Sequence, residues 1–251
     1  MKKLIAFAAV AACGAAFAAV ESANIVGYST VSGIGASQYV ALGTIFENVA
    51  GGNIAVKDVV TGNLVGAGSI GNADQIWRWN TATSAWTKYF YYSSRGVTQW
   101  RKSGETAETT DTIPTGETFF FLRAGGAADA TLTLAGGVKD LTGTSSFTVS
   151  ASQLAFASNP WPIAINIKDF SNYYTSGSAV GAGSIGNADQ IWLWNTSSSA
   201  WTKYFYYSSR GTTQWRKSGE SAETTDTIPA GVGFFFQRAG GAADATVTFS
   251  N

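Results

Sequence analysis

A duplication constrains the fold of this chain more than any other feature of its sequence. Residues 65–134 recur as residues 180–249 at a constant offset of 115, with no insertion and with 59 of 70 positions identical. The tryptophans, the aromatic hairpin and the proline turn all return at that offset, as Trp77 and Trp192 show. A chain that carries one unit twice is expected to fold into two copies of one structure.

Each copy has the pattern of a series of short β-strands. Runs of aromatic and β-branched residues alternate with turn sequences, and no helical periodicity of useful length follows the N-terminal segment. The predicted strands are residues 75–80, 86–92, 97–102, 118–123 and 130–134 of the first copy, with further strands at 23–32 and 146–150. Short strands separated by turns predict an all-β chain of two tandem antiparallel domains, each a β-sandwich or barrel.

The N-terminal segment predicts secretion. Lys2 and Lys3 precede a short apolar run and an alanine-rich end at Ala18, which is typical of a cleaved signal peptide. An alternative stays open, because the residues around Cys13 resemble a lipoprotein processing site at which a lipid anchor would be attached. The predicted divisions are a signal peptide at 1–18, a first β domain at 19–137 and a second β domain at 138–251.

The composition excludes several kinds of chemistry. Without the leader the chain has no cysteine and no histidine, which excludes disulfides, Ser-His pairs and most zinc or copper sites. It keeps 14 basic residues (16 minus Lys2 and Lys3) against 16 acidic ones, a net charge of −2 without a charged run. Nucleic acid is therefore not an expected partner, and no cofactor is predicted. No later apolar stretch approaches the roughly 20 residues of a membrane span.

Acidic stretches in each copy are compatible with two further functions, glycoside hydrolysis and calcium binding. A glycoside hydrolase would need two carboxylates at a suitable separation, and calcium would need six or more oxygen ligands. The carboxylates considered for hydrolysis are Glu105, Glu108 and Asp111 with Glu220, Glu223 and Asp226. Calcium would bind there or at residues 71–74 and 186–189. Solvated loops and turns explain both stretches more simply, so the chain is predicted not to be an enzyme and to hold no metal.

Differences between the copies predict which faces of the strands are buried. Arg78 is replaced by leucine in the second copy, whereas the flanking Trp77 and Trp79 are unchanged. Since side chains alternate along a strand, this predicts both tryptophans in the core and Arg78 outside it. The same reasoning places Phe119 and Phe121 in the core and leaves the phenylalanine between them half-exposed.

The other aromatic face of the hairpin predicts a ligand platform. Planar rings beside arginine and glutamine suit stacking on sugar rings, and a second copy would add avidity. The predicted ligand-binding residues are Tyr89, Tyr91, Arg95, Gln99, Trp100, Arg101, Tyr204, Tyr206, Arg210, Gln214, Trp215 and Arg216. The alternative is that these rings supply core area in a module that lacks disulfides.

Several motifs together resemble a known group of proteins. They are the Ser-Ala-Asn-Ile-Val-Gly-Tyr start at 22–28, Ile-Trp-x-Trp-Asn at 76–80, Trp-Thr-Lys-Tyr at 86–89 and Ile-Pro-x-Gly at 113–116. The chain resembles uncharacterised secreted tandem-repeat β proteins of verrucomicrobial-type bacteria over nearly its whole length after the predicted signal peptide. That group has no established activity, so the resemblance implies a secreted β fold and no catalytic residues. The first copy departs from the group's usual turn at Glu117.

The sequence thus predicts a secreted, non-catalytic β-repeat protein. Its expected partner is a glycan, an extracellular matrix component or another cell-surface polymer, or a second copy of itself. A purely structural envelope or surface-layer protein is the alternative. A glycoside hydrolase that uses the loop carboxylates is a third interpretation.

Overall fold

The fold is described by a computed structural model that covers residues 26–138, 144–159, 161 and 163–250. The predicted signal peptide, the alternative lipid site at Cys13 and the start of the first predicted strand lie outside the described residues. Within them the chain consists of antiparallel strands and three short 3₁₀ helices, Ile70–Asn72, Ile167–Tyr173 and Ile185–Asn187. The all-β prediction is confirmed. No helix of this described part is long and apolar enough to span a membrane.

The first repeat contains two main sheets. Its strands are β1 (Val26–Ile34), β2 (Tyr39–Gly43), β3 (Phe46–Glu47), β4 (Ile54–Ala55), β5 (Thr61–Gly62), β6 (Gln75–Asn80), β7 (Ala85–Ser94), β8 (Val97–Lys102), β9 (Thr112–Ile113), β10 (Thr118–Leu122) and β11 (Ala130–Val138). The inner sheet has the order β2-β10-β6-β7-β8. The outer sheet has the order β1-β11-β3, with β5 also paired to β11, while β4 and β9 form a separate ladder.

The second repeat follows the same plan. Its strands are β12 (Thr144–Val149), β13 (Leu154–Ser158), β14 (Ile165–Asn166), β15 (Tyr174–Ser176), β16 (Gln190–Asn195), β17 (Ala200–Ser209), β18 (Thr212–Lys217), β19 (Thr227–Ile228), β20 (Gly233–Gln237) and β21 (Ala245–Ser250). Its inner sheet has the order β13-β20-β16-β17-β18, and its outer sheet has the order β12-β21-β15. The ladder formed by β14 and β19 corresponds to that formed by β4 and β9.

Each repeat buries its own core between its inner and outer sheets. In the first repeat Phe119 and Phe121 from β10 and Ile76 from β6 pack in one cluster with Leu132 from β11, and all four are 0% exposed. The second repeat forms the equivalent cluster around Phe234, Phe236 and Val247. The prediction that Phe119 and Phe121 are core residues is confirmed, and each repeat is a β-sandwich.

The prediction that Trp77 and Trp79 lie in this core is wrong. Ile76 points into the core, so the alternation along β6 places both tryptophans on the opposite face. That face is covered by the second repeat, against which Phe120 is also buried at 5% exposure instead of being half-exposed. Both faces of the inner sheet are therefore buried, and an unchanged tryptophan does not identify which of them is the core.

A buried ion pair ties the 3₁₀ turn to the end of β10. Arg123 and Asp74 have side chains 2% and 0% exposed, and Arg123 Nη1 donates to Asp74 Oδ2 at 2.7 Å. The amides of Val65 and Ala124 also donate to this carboxylate, at 2.7 and 2.8 Å. The calcium alternative is therefore wrong at Asp74, because the protein itself occupies both carboxylate oxygens. The second repeat repeats the pair between its equivalent residues.

Candidate functional site

The two repeats meet through their inner sheets in a two-fold arrangement. The amide of Gly43 donates to the carbonyl of Gly231 at 2.8 Å, and the amide of Ser158 donates to the carbonyl of Gly116 at 2.9 Å. Ser158 follows Gly43 by 115 residues and Gly231 follows Gly116 by 115, so the two bonds are equivalent. The junction therefore has the geometry of an isologous dimer joined into one chain.

Aromatic side chains fill this junction. Trp79 Nε1 donates to the carbonyl of Leu154 at 2.7 Å, and the equivalent bond runs from Trp194 Nε1 to the carbonyl of Tyr39 at 2.8 Å. Buried indole groups need such a partner, so these two bonds also fix the orientation of the rings. Phe120 lies in the same cluster with 5% exposure.

An apolar cavity, which we call the aromatic slot, opens at the junction. Its volume of about 320 Å³ lies at the lower end of the range of small-ligand pockets. It is lined by Tyr39, Trp77, Trp79, Trp86, Phe120, Leu154, Trp194, Trp201 and Phe235. Tyr39 and Leu154 are equivalent positions, so the two repeats line the slot unequally.

A larger polar cavity, which we call the junction cleft, lies between the first repeat and strands β12 and β13 of the second. Its volume is about 780 Å³. Its lining includes the aromatic residues Trp79, Tyr89, Phe147 and Phe156, the hydroxyl or amide residues Asn80, Thr81, Thr87, Thr110, Thr112, Thr115, Ser146 and Thr148, and the charged residues Arg78, Lys102, Asp111 and Glu117. A hydroxyl group both donates and accepts hydrogen bonds, so this lining suits polar ligands of either kind.

Arg78 and Glu117 form a bidentate ion pair in the wall of the cleft. Arg78 Nη2 donates to both carboxylate oxygens at 2.8 Å, and its Nη1 donates to the carbonyl of Thr112 at 2.7 Å. In the second copy Leu193 and Val232 occupy the equivalent positions. Both members of the pair are replaced by apolar residues in the second copy. This is expected, because replacing only one of them would leave a partly buried charge without its partner.

Tyr89 and Lys102 hold Asp111 in the same cleft. The Tyr89 hydroxyl donates to Asp111 Oδ2 at 2.7 Å, and Lys102 Nζ lies 3.3 Å from that oxygen. The Tyr89 bond and then Lys102 lower the pKa of the Asp111 carboxyl, against an opposing effect of burial. Burial, together with Asp111, raises the pKa of the Tyr89 hydroxyl, so that it remains a donor. The four charged groups of the cleft lining therefore form two ion pairs.

This contact predicts a loss of stability in acid. Because the folded pKa of Asp111 and of its counterpart Asp226 is lowered, the stabilisation is present above the unfolded pKa of about 3.9 and is lost as the pH falls through the folded pKa. Tyr89→Phe combined with Tyr204→Phe should make the unfolding free energy less dependent on pH between about pH 5 and pH 2. Urea unfolding across that range measures this, and an unchanged pH dependence would contradict it.

The predicted ligand platform is divided between the two faces of the hairpin. Tyr89 and Trp100 are 1% and 2% exposed, and Tyr204 and Trp215 are 3% and 0% exposed. The prediction that these four rings form an exposed stacking surface is therefore wrong. Tyr89 lies opposite Ile76 in the strand pairing, so it shares the inward face of that residue. Tyr89 also lines the junction cleft, where its hydroxyl donates to Asp111.

Tyr91 and Gln99 keep an accessible edge in the first repeat. Tyr91 is half-buried against Trp100 with ring centroids 5.4 Å apart, and these three residues border a depression of about 410 Å³. Gln99 Nε2 donates to a loop carbonyl at 3.3 Å. Tyr206 and Gln214 make the equivalent contacts in the second repeat. Ligand binding by these residues stays a prediction.

The four predicted arginines lie apart from those rings. Arg95 and Arg210 are exposed at turn positions with φ of 53° and 51°. Arg101 stacks on Tyr92 on the opposite face of the sheet, 3.4 Å from the ring centroid, and Arg216 makes the equivalent contact at 3.4 Å. A guanidinium that covers a ring leaves no stacking surface for a sugar on that side.

The loop carboxylates lack the arrangement of a glycosidase pair. Glu105 and Glu108 are exposed and lie near lysine side chains, at 4.0 Å from Lys102 and 3.4 Å from Lys57 respectively. Asp111 has a lowered pKa, whereas a general acid needs a raised one. Among the described residues no group of three or more His, Cys, Asp or Glu side chains is placed to hold a metal ion.

Comparisons with known proteins assign no family to the chain. No protein-family model, no curated protein and no solved structure matches it. The resemblance to secreted repeat proteins of verrucomicrobial-type bacteria therefore stays a prediction, and the two cavities at the junction are the basis for a functional proposal.

Proposed function

We propose that this protein is secreted, is not a catalyst and binds a neutral glycan in the junction cleft. The observation that carries the proposal is the cleft lining, where hydroxyl groups, aromatic rings and paired charges border about 780 Å³. A glycan presents hydroxyl groups that both donate and accept, together with C–H faces that pack on aromatic rings. The junction cleft offers both kinds of contact.

The pairing of the charges favours an uncharged ligand. An anionic ligand would have to displace Glu117 from a bidentate contact with Arg78, which is among the stronger kinds of hydrogen bond in proteins. A cationic ligand would similarly compete with Lys102 and with the Tyr89 hydroxyl for Asp111. A neutral hydroxyl group can add a bond to either pair without breaking it.

Rigid strands of both repeats position the cleft lining. Thr87 lies on β7 and Thr112 on β9 of the first repeat, while Ser146 and Thr148 lie on β12 of the second. Side chains held on strands keep their geometry better than side chains on loops. A ligand in the cleft would contact both repeats at once, which gives the duplication a role in binding.

Retention on insoluble polysaccharides tests the proposal. The chain without residues 1–18 should be retained on at least one neutral polysaccharide in a panel, and the combination of Thr87→Val and Ser146→Ala should weaken binding about tenfold or more. In the part of the chain that is described, neither hydroxyl has a hydrogen-bond partner, so removing both should leave stability unchanged.

Thr212→Val is the matched control, since the first copy carries Val97 at the equivalent position and the residue lies on β18, outside the cleft lining. Its retention should equal that of the unmodified chain. The proposal fails if no neutral polysaccharide retains the protein, or if the cleft variant binds as tightly as the control.

A further inference from the structure

We propose that the aromatic slot binds a quaternary ammonium group. Its lining combines five tryptophans with a tyrosine and two phenylalanines, and no charged side chain. The faces of aromatic rings carry negative electrostatic potential and attract cations within about 6 Å of the ring centroid. A cavity of about 320 Å³ walled by such rings from both repeats suits a compact organic cation.

The same aromatic face already holds two lysines of the protein, one of them over Trp77, a ring that also lines the slot. Lys88 Nζ lies 3.7 Å from the ring centroid of Trp77, and Lys203 Nζ lies 3.8 Å from that of Trp192. Among the described residues, no lysine or arginine lies over Trp86 or Trp201. Over Trp86 and Trp201, a cation from a ligand would therefore take the position that a lysine takes over Trp77 and Trp192.

Hydrogen bonding distinguishes a quaternary from a primary ammonium group. The indole N–H groups of Trp79 and Trp194 donate to backbone carbonyls, and Trp77 Nε1 donates to Gln75 Oε1 at 2.8 Å. A primary ammonium carries three donors, and among the side chains that line the slot the Tyr39 hydroxyl alone can accept a hydrogen bond, so burying the remaining donors there costs free energy. A quaternary ammonium has no donor, so it enters such a slot without that cost.

The rings also distinguish a cation from a neutral apolar group. The repeat cores bury apolar side chains with Ile, Leu and Val as well as aromatics, whereas Leu154 is the one aliphatic residue in the slot lining. A hydrocarbon gains burial from either kind of wall, but only an aromatic wall adds cation–π attraction. The lining therefore favours a charged ligand over a neutral one of equal shape.

The slot and the junction cleft are separate sites that share only Trp79 in their linings. Binding in the slot does not depend on the proposed glycan, and either site can fail without the other.

Calorimetric titration with choline tests the proposal, with 3,3-dimethyl-1-butanol as the neutral isostere. Choline should bind about tenfold more tightly than the alcohol, because both fill the same space but only choline carries charge. In Trp201→Leu the slot keeps an apolar wall and loses one ring face, so this preference for choline should fall toward unity.

Trp192→Leu is the control, because Trp192 lies on the same sheet face as Trp201 but does not line the slot. It should keep the preference for choline, and thermal unfolding of both variants checks that they fold. No binding at millimolar choline, equal affinity for the alcohol, or an unchanged preference in folded Trp201→Leu would each overturn the proposal.

Discussion

Arg123→Met should destabilise the protein by about 3–5 kcal/mol. The substitution leaves the Asp74 carboxylate fully buried, with the amides of Val65 and Ala124 as its remaining donors. The guanidinium also donates to the carbonyl of Ala128 through Nε and Nη2, at 2.9 and 2.7 Å, and those bonds are lost as well. An uncompensated buried charge is more destabilising than the loss of the ion pair as a whole.

Urea unfolding followed by tryptophan fluorescence measures this effect. Lys57→Met, which breaks an ion pair with side chains 46% and 45% exposed, is the control and should cost less than about 1 kcal/mol. Adding Asp74→Leu to Arg123→Met should recover part of the loss, since it removes the unpaired charge. If Arg123→Met lowers the free energy of unfolding no more than Lys57→Met does, this result would contradict a stabilising role of the buried pair.

Gly233→Thr should destabilise the junction between the repeats by about 2–3 kcal/mol. A β-carbon at Gly233 would lie 2.0 Å from Thr118 Cγ2, and Thr118 is the residue equivalent to Gly233 in the first copy. Thr118 Oγ1 donates to the carbonyl of Ala157 at 2.5 Å, so its side chain cannot turn away without losing that bond. Gly43 faces its own counterpart Ser158 in the same manner.

The exchanged variant, Thr118→Gly with Gly233→Thr, shows whether Gly233→Thr destabilises the protein through a clash with Thr118 or because position 233 accepts no threonine. The two-fold arrangement places the carbonyl of Leu42 where threonine at 233 would donate, so the exchange should restore stability to within about 1 kcal/mol. Unfolding midpoints of the single and double variants give the coupling energy. Additive effects would mean that the two positions do not meet across the junction.

Local sequence pattern predicted the strands of the duplicated stretch well. The predicted strands at 75–80 and 97–102 coincide with β6 and β8, since alternating aromatic and β-branched residues between turns have few other stable conformations. The local pattern does not predict the edge strands β2 and β13. They are short, and their pairing with β10 and β20 joins residues distant in sequence, which a local pattern does not contain.

The faces of the inner sheet were harder to predict because both are buried. Alternation predicts two sets of side chains but not which set faces the core when each is apolar. The sequence therefore predicts Tyr89 and Trp100 on a ligand platform, although they lie in the core. It predicts Trp77 and Trp79 in the core, although they lie at the junction. The predicted binding residues consequently do not form one surface.

The junction left a signal in the differences between the copies. Glu117 and Thr118 are replaced by valine and glycine, and Arg78 by leucine, within a stretch that is otherwise nearly identical. The structure brings these positions to the contact between the repeats and to the cleft beside it. Glu117 and Thr118 contact the other copy directly, and Arg78 differs together with Glu117 because the two residues form an ion pair, so neither copy alone reveals why these positions differ.

The most direct test of the junction cleft as the binding site is the affinity of the Arg78→Leu, Glu117→Val double variant. This variant carries the residues of the second copy, Leu193 and Val232, so its unfolding free energy should stay within about 1 kcal/mol of the unmodified chain. Lys203→Ala, which removes a charge on the sheet face outside the cleft, is the control.

Calorimetry with a soluble fragment of the retained polysaccharide gives the dissociation constants. We predict that the double variant weakens binding about tenfold or more while Lys203→Ala binds like the unmodified chain. Unchanged affinity in a folded Arg78→Leu, Glu117→Val variant would contradict glycan binding at the junction of the repeats.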